Sequence, residues 1–261
     1  MYTIDHCAGC GSTNVSKKTA YLSQFVSWRT TGNKPMTNMP NLLVNCNDCG
    51  FSASQIRFTN EEEANLYKDY RGEKYNRMRL ECEPKYETSS IFNTNYINDR
   101  LEFITEMIGR NIDSNKINSV LDYGGGAGEL IPPAFTKAIK YVYDISGVEP
   151  LDGIKKLNPT IDKDPMDFIM CCQVLEHKSD MDELINILKS YMVTDSWIYI
   201  EVPVYRNPPP DDVIIGEHIN FFNEQSLVAI LDRHGICAID TTKNYMLGAM
   251  AVLGKFNSKS C

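Results

Sequence analysis

An apolar run that ends in an aspartate and then breaks into glycines constrains this chain more than any other stretch: Val120-Leu121-Asp122-Tyr123-Gly124-Gly125-Gly126-Ala127-Gly128-Glu129-Leu130. Glycines at this density let the backbone turn tightly after a strand and let a ligand approach the main chain. A turn of this kind between a strand and a helix holds a nucleotide in open α/β folds. The spacing narrows which nucleotide. A dinucleotide fingerprint needs G-x-G-x-x-G, but after Gly124-x-Gly126 the third glycine, Gly128, comes one position early and Glu129 stands in its place. A carboxylate there competes with a pyrophosphate for the same amides. The loop suits a ligand that carries a cation and no phosphate.

From residue 117 onward, strand-like and helix-like runs alternate. The strand candidates are INSVLDY, KYVYDIS, MDFIMCC, SWIYIEVP, ICAIDTTKNY and GAMAVLGKF; the helix candidates are PPAFTKAI, DMDELINILKSYM and NEQSLVAILDRHG. Such alternation predicts a mostly parallel sheet with helices on both faces. The last two strands follow one another without a helix and predict an antiparallel hairpin. Before this region, residues 59–115 read as helical, with Thr59 or Asn60 as a cap and with Ile97, Leu101, Ile104 and Ile108 near one face. Residues 1–58 are polar and carry paired cysteines. We therefore expect three parts: 1–58, a helical lid or connector at 59–115, and an α/β domain at 116–261.

Asp122-x-Gly124-x-Gly126-x-Gly128 resembles the first motif of class I S-adenosylmethionine-dependent methyltransferases. The resemblance implies a Rossmann-like, doubly wound, seven-stranded sheet and a loop whose glycines approach the methionine part of the cofactor, with Asp122 helping to hold it. A carboxylate at the end of the second strand should grip the ribose hydroxyls. Asp144, ending KYVYD, is favoured by the strong β run before it, whereas Glu149 in GVEP matches the family's usual acidic position. MDFIMCCQVLEH resembles the fourth strand and the loop after it, which implies that Gln173 to His177 lie over the cofactor. His177 is read as packing beneath it rather than as a catalytic group. Only a short or irregular third strand fits between Glu149 and Asp167.

Nine cysteines, with no basic-then-apolar leader in MYTIDHCAGC, predict reduced thiols and a cytoplasmic protein. Cys7-x-x-Cys10-Gly and Cys46-x-x-Cys49-Gly are two copies of one pattern, each able to present two thiolates across a tight turn. Four sulfurs suit a structural zinc ribbon with no open position for catalysis. His6 is a possible but unnecessary ligand, and the other cysteines read mainly as small buried hydrophobes. The chain has 26 basic and 34 acidic residues, a net charge of −8, which disfavours a nucleic-acid surface. No apolar run approaches the ~20 residues of a membrane span.

Methyl transfer to a hydroxyl or carbon needs a base, and histidine is suited to it. Of His6, His177, His218 and His234, His218 lies in Gly216-Glu217-His218-Ile219-Asn220-Phe221-Phe222, expected at the ligand edge of the sheet. This segment resembles the sugar C-methyltransferases that carry an N-terminal four-cysteine zinc domain, which implies His218 as base with Glu217 assisting. The alternative is a structural histidine bonded to backbone. Tyr67 to Arg77 resembles a YRxxxY segment in zinc-ribbon methyltransferases of surface-polysaccharide clusters, and implies a lid in which Arg71 or Arg77 grips an anion. Asn207-Pro208-Pro209-Pro210 resembles the NPPY signature of amine methylation, but it follows the fifth strand instead of the fourth and lacks the aromatic, so we read it as a rigid loop over the substrate mouth. The expected activity is methylation of a small molecule, a sugar or nucleotide-sugar hydroxyl or carbon. The alternative is a protein or RNA methyltransferase whose ribbon holds the target.

Overall fold

The computed structural model describes residues 1–86, 94–162, 164–205, 209 and 212–257. In chain order the first elements are β1 (Tyr2–Thr3), β2 (Val15–Leu22), α1 (Gln24–Thr31), β3 (Met39–Cys46), β4 (Ser52–Ser54) and β5 (Ile56–Arg57). Helices α2 (Asn60–Tyr67), α3 (Glu73–Cys82) and α4 (Thr94–Asn111) follow. Next come β6 (Ser119–Tyr123), β7 (Ile139–Tyr143), β8 (Ile154–Lys156), β9 (Phe168–Cys172), α5 (Met181–Ser190) and β10 (Trp197–Pro203). The last are β11 (Val213–Ile215), β12 (Asn220–Phe221), α6 (Glu224–Arg233), β13 (Ile236–Asn244) and β14 (Ala249–Phe256). They form two compact units: Met1–Ile91, Glu176–Ser179 and Tyr205–Asn223 make the first, and Phe92–Leu175, Asp180–Val204 and Glu224–Cys261 the second.

The second unit holds a seven-stranded sheet in the order β13-β14-β10-β9-β6-β7-β8. Strands β10, β9, β6, β7 and β8 run parallel, and β14 is antiparallel to both β10 and β13. The expected hairpin is therefore present. Because β6 lies between β9 and β7, the winding direction reverses at β6, and ligands bind beyond the strand ends at such a switch point. Phe168 to Cys172 are all buried, as an interior parallel strand requires. Asp180 caps α5 by accepting from the Glu183 amide, and Gly235 turns the chain after α6 at φ 73°. The third strand, β8, has three residues, as short as expected.

Two details of this unit depart from the sequence reading. No helix forms over 132–139; turns and bends lie within 133–138 and Ile139 opens β7. Pro132 and Pro133 are tolerated in a first turn, but too few residues remain between this pair and β7 to propagate a helix. The buried stripe of α4 is Arg100, Phe103, Ile104, Met107 and Ile108, whereas Ile97 and Leu101 are half-buried. The helix is thus turned relative to its most apolar face, and it carries an arginine into the core.

The first unit is built on a five-stranded sheet, β11-β2-β3-β4-β12, with β1 and β5 paired beside it. Strands β11 and β12 come from residues 213–221, far along the chain from the strands they join. Its core packs Ala20, Leu22, Phe25, Val26, Leu43, Phe58, Leu66 and Tyr75 with Ile215, Ile219 and Phe221. Thr59 proves to be the cap of α2 and forms a reciprocal capping box with Glu62.

Candidate functional site

In the second unit the glycine loop begins at the end of β6. Gly124, Gly126 and Gly128 have φ of 78°, 59° and 89°. These are left-handed values that L side chains rarely adopt. A Cβ on Gly125 would lie 2.2 Å from the Asp122 carboxylate, so that glycine is what allows Asp122 to fold back under the loop. Asp122 is fully buried, and neither carboxylate oxygen has a hydrogen-bond partner among the described residues. Burial pushes its carboxyl up to about 7, Arg100 opposes this, and Asp144, Glu129 and Glu201 add to it. A buried acceptor pair without a donor fits a ligand that brings a cationic donor of its own, such as an ammonium.

Asp144 sits just past β7, where its Oδ2 accepts from the Gly126 amide at 2.8 Å and its Oδ1 from the Ser146 amide at 2.7 Å. It therefore stands against the glycine loop. Glu149 lies exposed, 3.6 Å from Lys156 Nζ. Gln173 follows β9 in a left-handed conformation at φ 59°, with its amide on the Glu201 carbonyl at 2.8 Å and its Nε2 on Glu201 Oε1 at 3.0 Å. Glu201 also takes the Tyr199 hydroxyl at 2.9 Å and pairs with Arg100, and Glu201 and Arg100 are both buried. Arg100 and Glu201 were not singled out from sequence. The signals were a glutamate inside the apolar run of β10 and an arginine four residues before buried Ile104.

His177, Glu217 and His218 all belong to the first unit. His177 Nδ1 lies 3.0 Å from the Tyr67 hydroxyl and 3.2 Å from the Glu217 carbonyl. A carbonyl only accepts, so Nδ1 carries the proton and Nε2 is bare, 3.7 Å from buried Glu176. The His177 and His218 rings meet edge to face with centroids 4.5 Å apart. His218 Nδ1 is bonded to the Tyr205 hydroxyl. Glu217 does not hold that ring: its two carboxylate oxygens take the Tyr75 hydroxyl and Arg79 Nη1. Burial pulls His177 down to about 4, and burial together with His177 pulls His218 down to about 3. Both imidazoles are therefore neutral at ordinary pH, able to accept a proton or a hydrogen bond.

A cavity of about 380 Å³ opens beside His218, lined by Glu217, Arg79, Tyr205, Val213, Ile214 and Phe221, among others. Arg79 is paired at 2.8 Å with both Glu83 and Glu217. Of the lid arginines expected to grip an anion, Arg77 is exposed and Arg71 stacks on Tyr70. Of the Asn207-Pro208-Pro209-Pro210 run, only Pro209 is among the described residues, and it lines this cavity.

The four paired cysteines come together within the first unit. Sulfurs of Cys7, Cys10, Cys46 and Cys49 lie within 4.8 Å of one another. The Cys10 and Cys49 amides point at Cys7 Sγ and Cys46 Sγ, 3.3 and 3.5 Å away, and Gly11 and Gly50 take φ of 80° and 71°. This geometry fits a tetrahedral metal held by four thiolates. His6 is exposed and outside the cluster. Cys7, Cys10, Cys46, Cys49, Cys82, Cys171 and Cys172 are free thiols, but Cys237 is disulfide-bonded, a departure from the reduced state expected throughout. No helix among the described residues is long and apolar enough to cross a membrane.

A family model described as a methyltransferase domain matches residues 90–239, more than half of the chain. Among solved structures, the 1,6-didemethyltoxoflavin-N1-methyltransferase of Burkholderia thailandensis, with 1,6-didemethyltoxoflavin and S-adenosylhomocysteine bound, is 12% identical. Its TM-score is 0.50, covering 81% of this chain and 98% of its own. The magnesium protoporphyrin IX methyltransferase of Synechocystis PCC 6803, with bound SAM, is 15% identical with a TM-score of 0.49, covering 75% of this chain and 97% of its own. No curated protein matches the sequence.

Proposed function

The chain belongs to the methyltransferase-domain family, and from that premise we propose that it moves the methyl group of S-adenosylmethionine to a hydroxyl or carbon of a small, sugar-like acceptor. The observation that carries the cofactor is Asp122, a buried carboxylate with no donor among the described residues, beneath a loop of left-handed glycines. It would take the cofactor's ammonium, with Gly124, Gly126 and Gly128 giving the methionine part its path along the backbone. Asp144, against the loop, is the better candidate than exposed Glu149 for the ribose hydroxyls. Gln173, held after β9 by Glu201, is kept as a lining residue. When bound, the cofactor supplies an electrophilic methyl on a sulfonium.

For the acceptor, the cavity beside His218 mixes hydrogen-bonding and apolar walls, as an uncharged polyhydroxyl ring requires. Arg79, the one cation among its described lining residues, is already paired with two carboxylates, which speaks against a phosphate at that point. His218, neutral and bordering the cavity, is assigned the acceptor's proton, and His177 with Tyr67 buttresses it. Cys7, Cys10, Cys46 and Cys49 are assigned one structural zinc, and their closed sulfur set leaves it no part in the chemistry.

Calorimetry with S-adenosylmethionine, S-adenosylhomocysteine and NAD tests the cofactor. Binding of the first two is expected, and tight NAD binding alone would refute it. Radiolabelled methyl donor, offered with a panel of nucleotide-sugars, total RNA and total protein, tests the acceptor. Label in the sugar fraction is expected; label only in RNA or protein would transfer the assignment to the macromolecular alternative.

A further inference from the structure

A guanidinium in the middle of a helix's apolar stripe is costly to bury unless something requires it there. Arg100 occupies such a place on α4, 4% exposed between Tyr96 and Ile104 in the helix sequence. Its Nη2 pairs with Glu201 on β10, and Glu201 is itself fixed from three sides. Tyr199 bonds its Oε2, Gln173 Nε2 shares its Oε1, and the Gln173 amide holds its carbonyl. The guanidinium head is thus locked by a carboxylate that has no freedom to move.

Glu201 pairs in register with Cys172, and Asp122 with Met170, so the two carboxylates close the strand ends on either side of β9. The charged and titratable groups that face Asp122 are Arg100 from α4, Asp144 after β7, Glu129 in the loop, Glu201 on β10 and the Cys172 thiol on β9. Burial holds that thiol neutral. Arg100 is the one cation in this set, and its Nε, like both Asp122 oxygens, has no hydrogen-bond partner among the described residues. Without Arg100, a fully buried carboxylate would face only other acids.

We propose that Arg100, anchored by Glu201, is a positioning residue for cofactor binding: it balances Asp122 so that the carboxylate meets the ligand's ammonium as an anion. This rests on the cofactor reading given above. Asp122 stands at about 7, so below that pH it takes up a proton and loses the ammonium. Removing Arg100 drives the carboxyl further up, and the loss of affinity begins at higher pH.

Calorimetric titration of S-adenosylhomocysteine, whose sulfur is uncharged, isolates the ammonium contact. Wild-type affinity should fall by about tenfold per pH unit below pH ~7, while the ligand's own amine, held up by its neighbouring carboxylate, titrates above this window and sets the same alkaline limb in every variant. Arg100→Met leaves Glu201 buried without its cation, so Arg100→Met/Glu201→Gln, which removes both charges, is measured beside it. In the double variant Asp122 loses the stronger pull of Arg100 and the weaker push of Glu201, so the acid limb should begin at a higher pH than in the wild type, with a severalfold loss at neutral pH. Arg100→Lys should return the limb to the wild-type position, and Asp122→Asn should bind weakly with no acid limb. An acid limb in the double variant at the wild-type pH, or none in the wild type, overturns the proposal while leaving the cofactor reading intact. Absence of binding at every pH overturns both.

Discussion

The hydroxyl of Tyr205 meets Nδ1 of His218, while both carboxylate oxygens of the adjoining Glu217 are taken by Tyr75 and Arg79. A phenol, not the neighbouring carboxylate, therefore orients this imidazole. Burial also raises the Tyr205 hydroxyl well above its usual range, so it stays a neutral partner at any working pH. For His218 to accept through Nε2, Nδ1 must carry the proton and donate it to Tyr205.

If His218 receives the acceptor's proton, His218→Ala should lower turnover by ~10²–10⁴-fold while cofactor affinity stays near the wild-type value. Tyr205→Phe removes only the orienting bond, of about 0.5–1.5 kcal/mol, and should cost about tenfold or less in kcat. Steady-state kinetics on the identified acceptor checks both. Wild-type turnover in His218→Ala would end the assignment.

The two buried histidines also tie stability to pH. Folding pulls His177 to about 4 and His218 to about 3, against about 6.5 in an unfolded chain. The unfolded state thus binds more protons in between, so their contribution is complete above pH ~6.5 and is lost as pH falls towards 4 and then 3. Asp122 has the opposite slope in part of this window, so the informative quantity is a difference between variants. Denaturation of wild type and His177→Gln/His218→Gln from pH ~7 to ~4.5 should show a smaller acid loss in the variant. Equal losses would mean these rings are not held neutral.

The cysteine cluster makes a separate prediction. Elemental analysis should find about one zinc per chain. Cys46→Ser removes one of four thiolates and should release the metal and melt the first unit ahead of the second, because structural zinc supplies folding free energy. A zinc-free protein in which both units melt as in the wild type would show that the four thiols hold together unaided.

Much of the second unit is legible because most of its strands are local apolar runs, β8 with its two lysines excepted, and its glycine loop has a distinctive spacing. The cysteine spacing was equally local. What could not be read depends on distant pairing. Val213–Ile215 and Asn220–Phe221 add strands to a sheet whose other members end by Ser54, and no local periodicity announces that. His218 is expected from sequence beside the large sheet, and its contacts within the first unit, with Tyr205 and His177, are what local sequence does not announce. The helix expected over 132–139 fails for a local reason, the few residues left before β7 begins at Ile139. Arg100 was passed over because its residue type argued for solvent, and only the position of Glu201 explains its burial.

Asp122 should weaken the very fold that it equips. In an unfolded chain its carboxyl titrates near 3.8, but in the folded protein near 7. Folding is therefore least hindered below pH ~3.8, and the cost grows as pH rises through 7. Asn keeps the shape without the charge, so Asp122→Asn should raise unfolding free energy by on the order of a few kcal/mol at pH ~8, the scale of holding a carboxylate charged in a buried site. The gain should shrink as pH falls towards 4, where the wild-type carboxyl is also neutral. The same substitution should weaken S-adenosylhomocysteine binding, and ligand at a concentration that saturates only the wild type should close the gap by stabilising the wild type more. Chemical denaturation with and without ligand decides it: an Asp122→Asn protein less stable than wild type at pH ~8 would mean that the carboxylate has an internal partner and is not held for the cofactor.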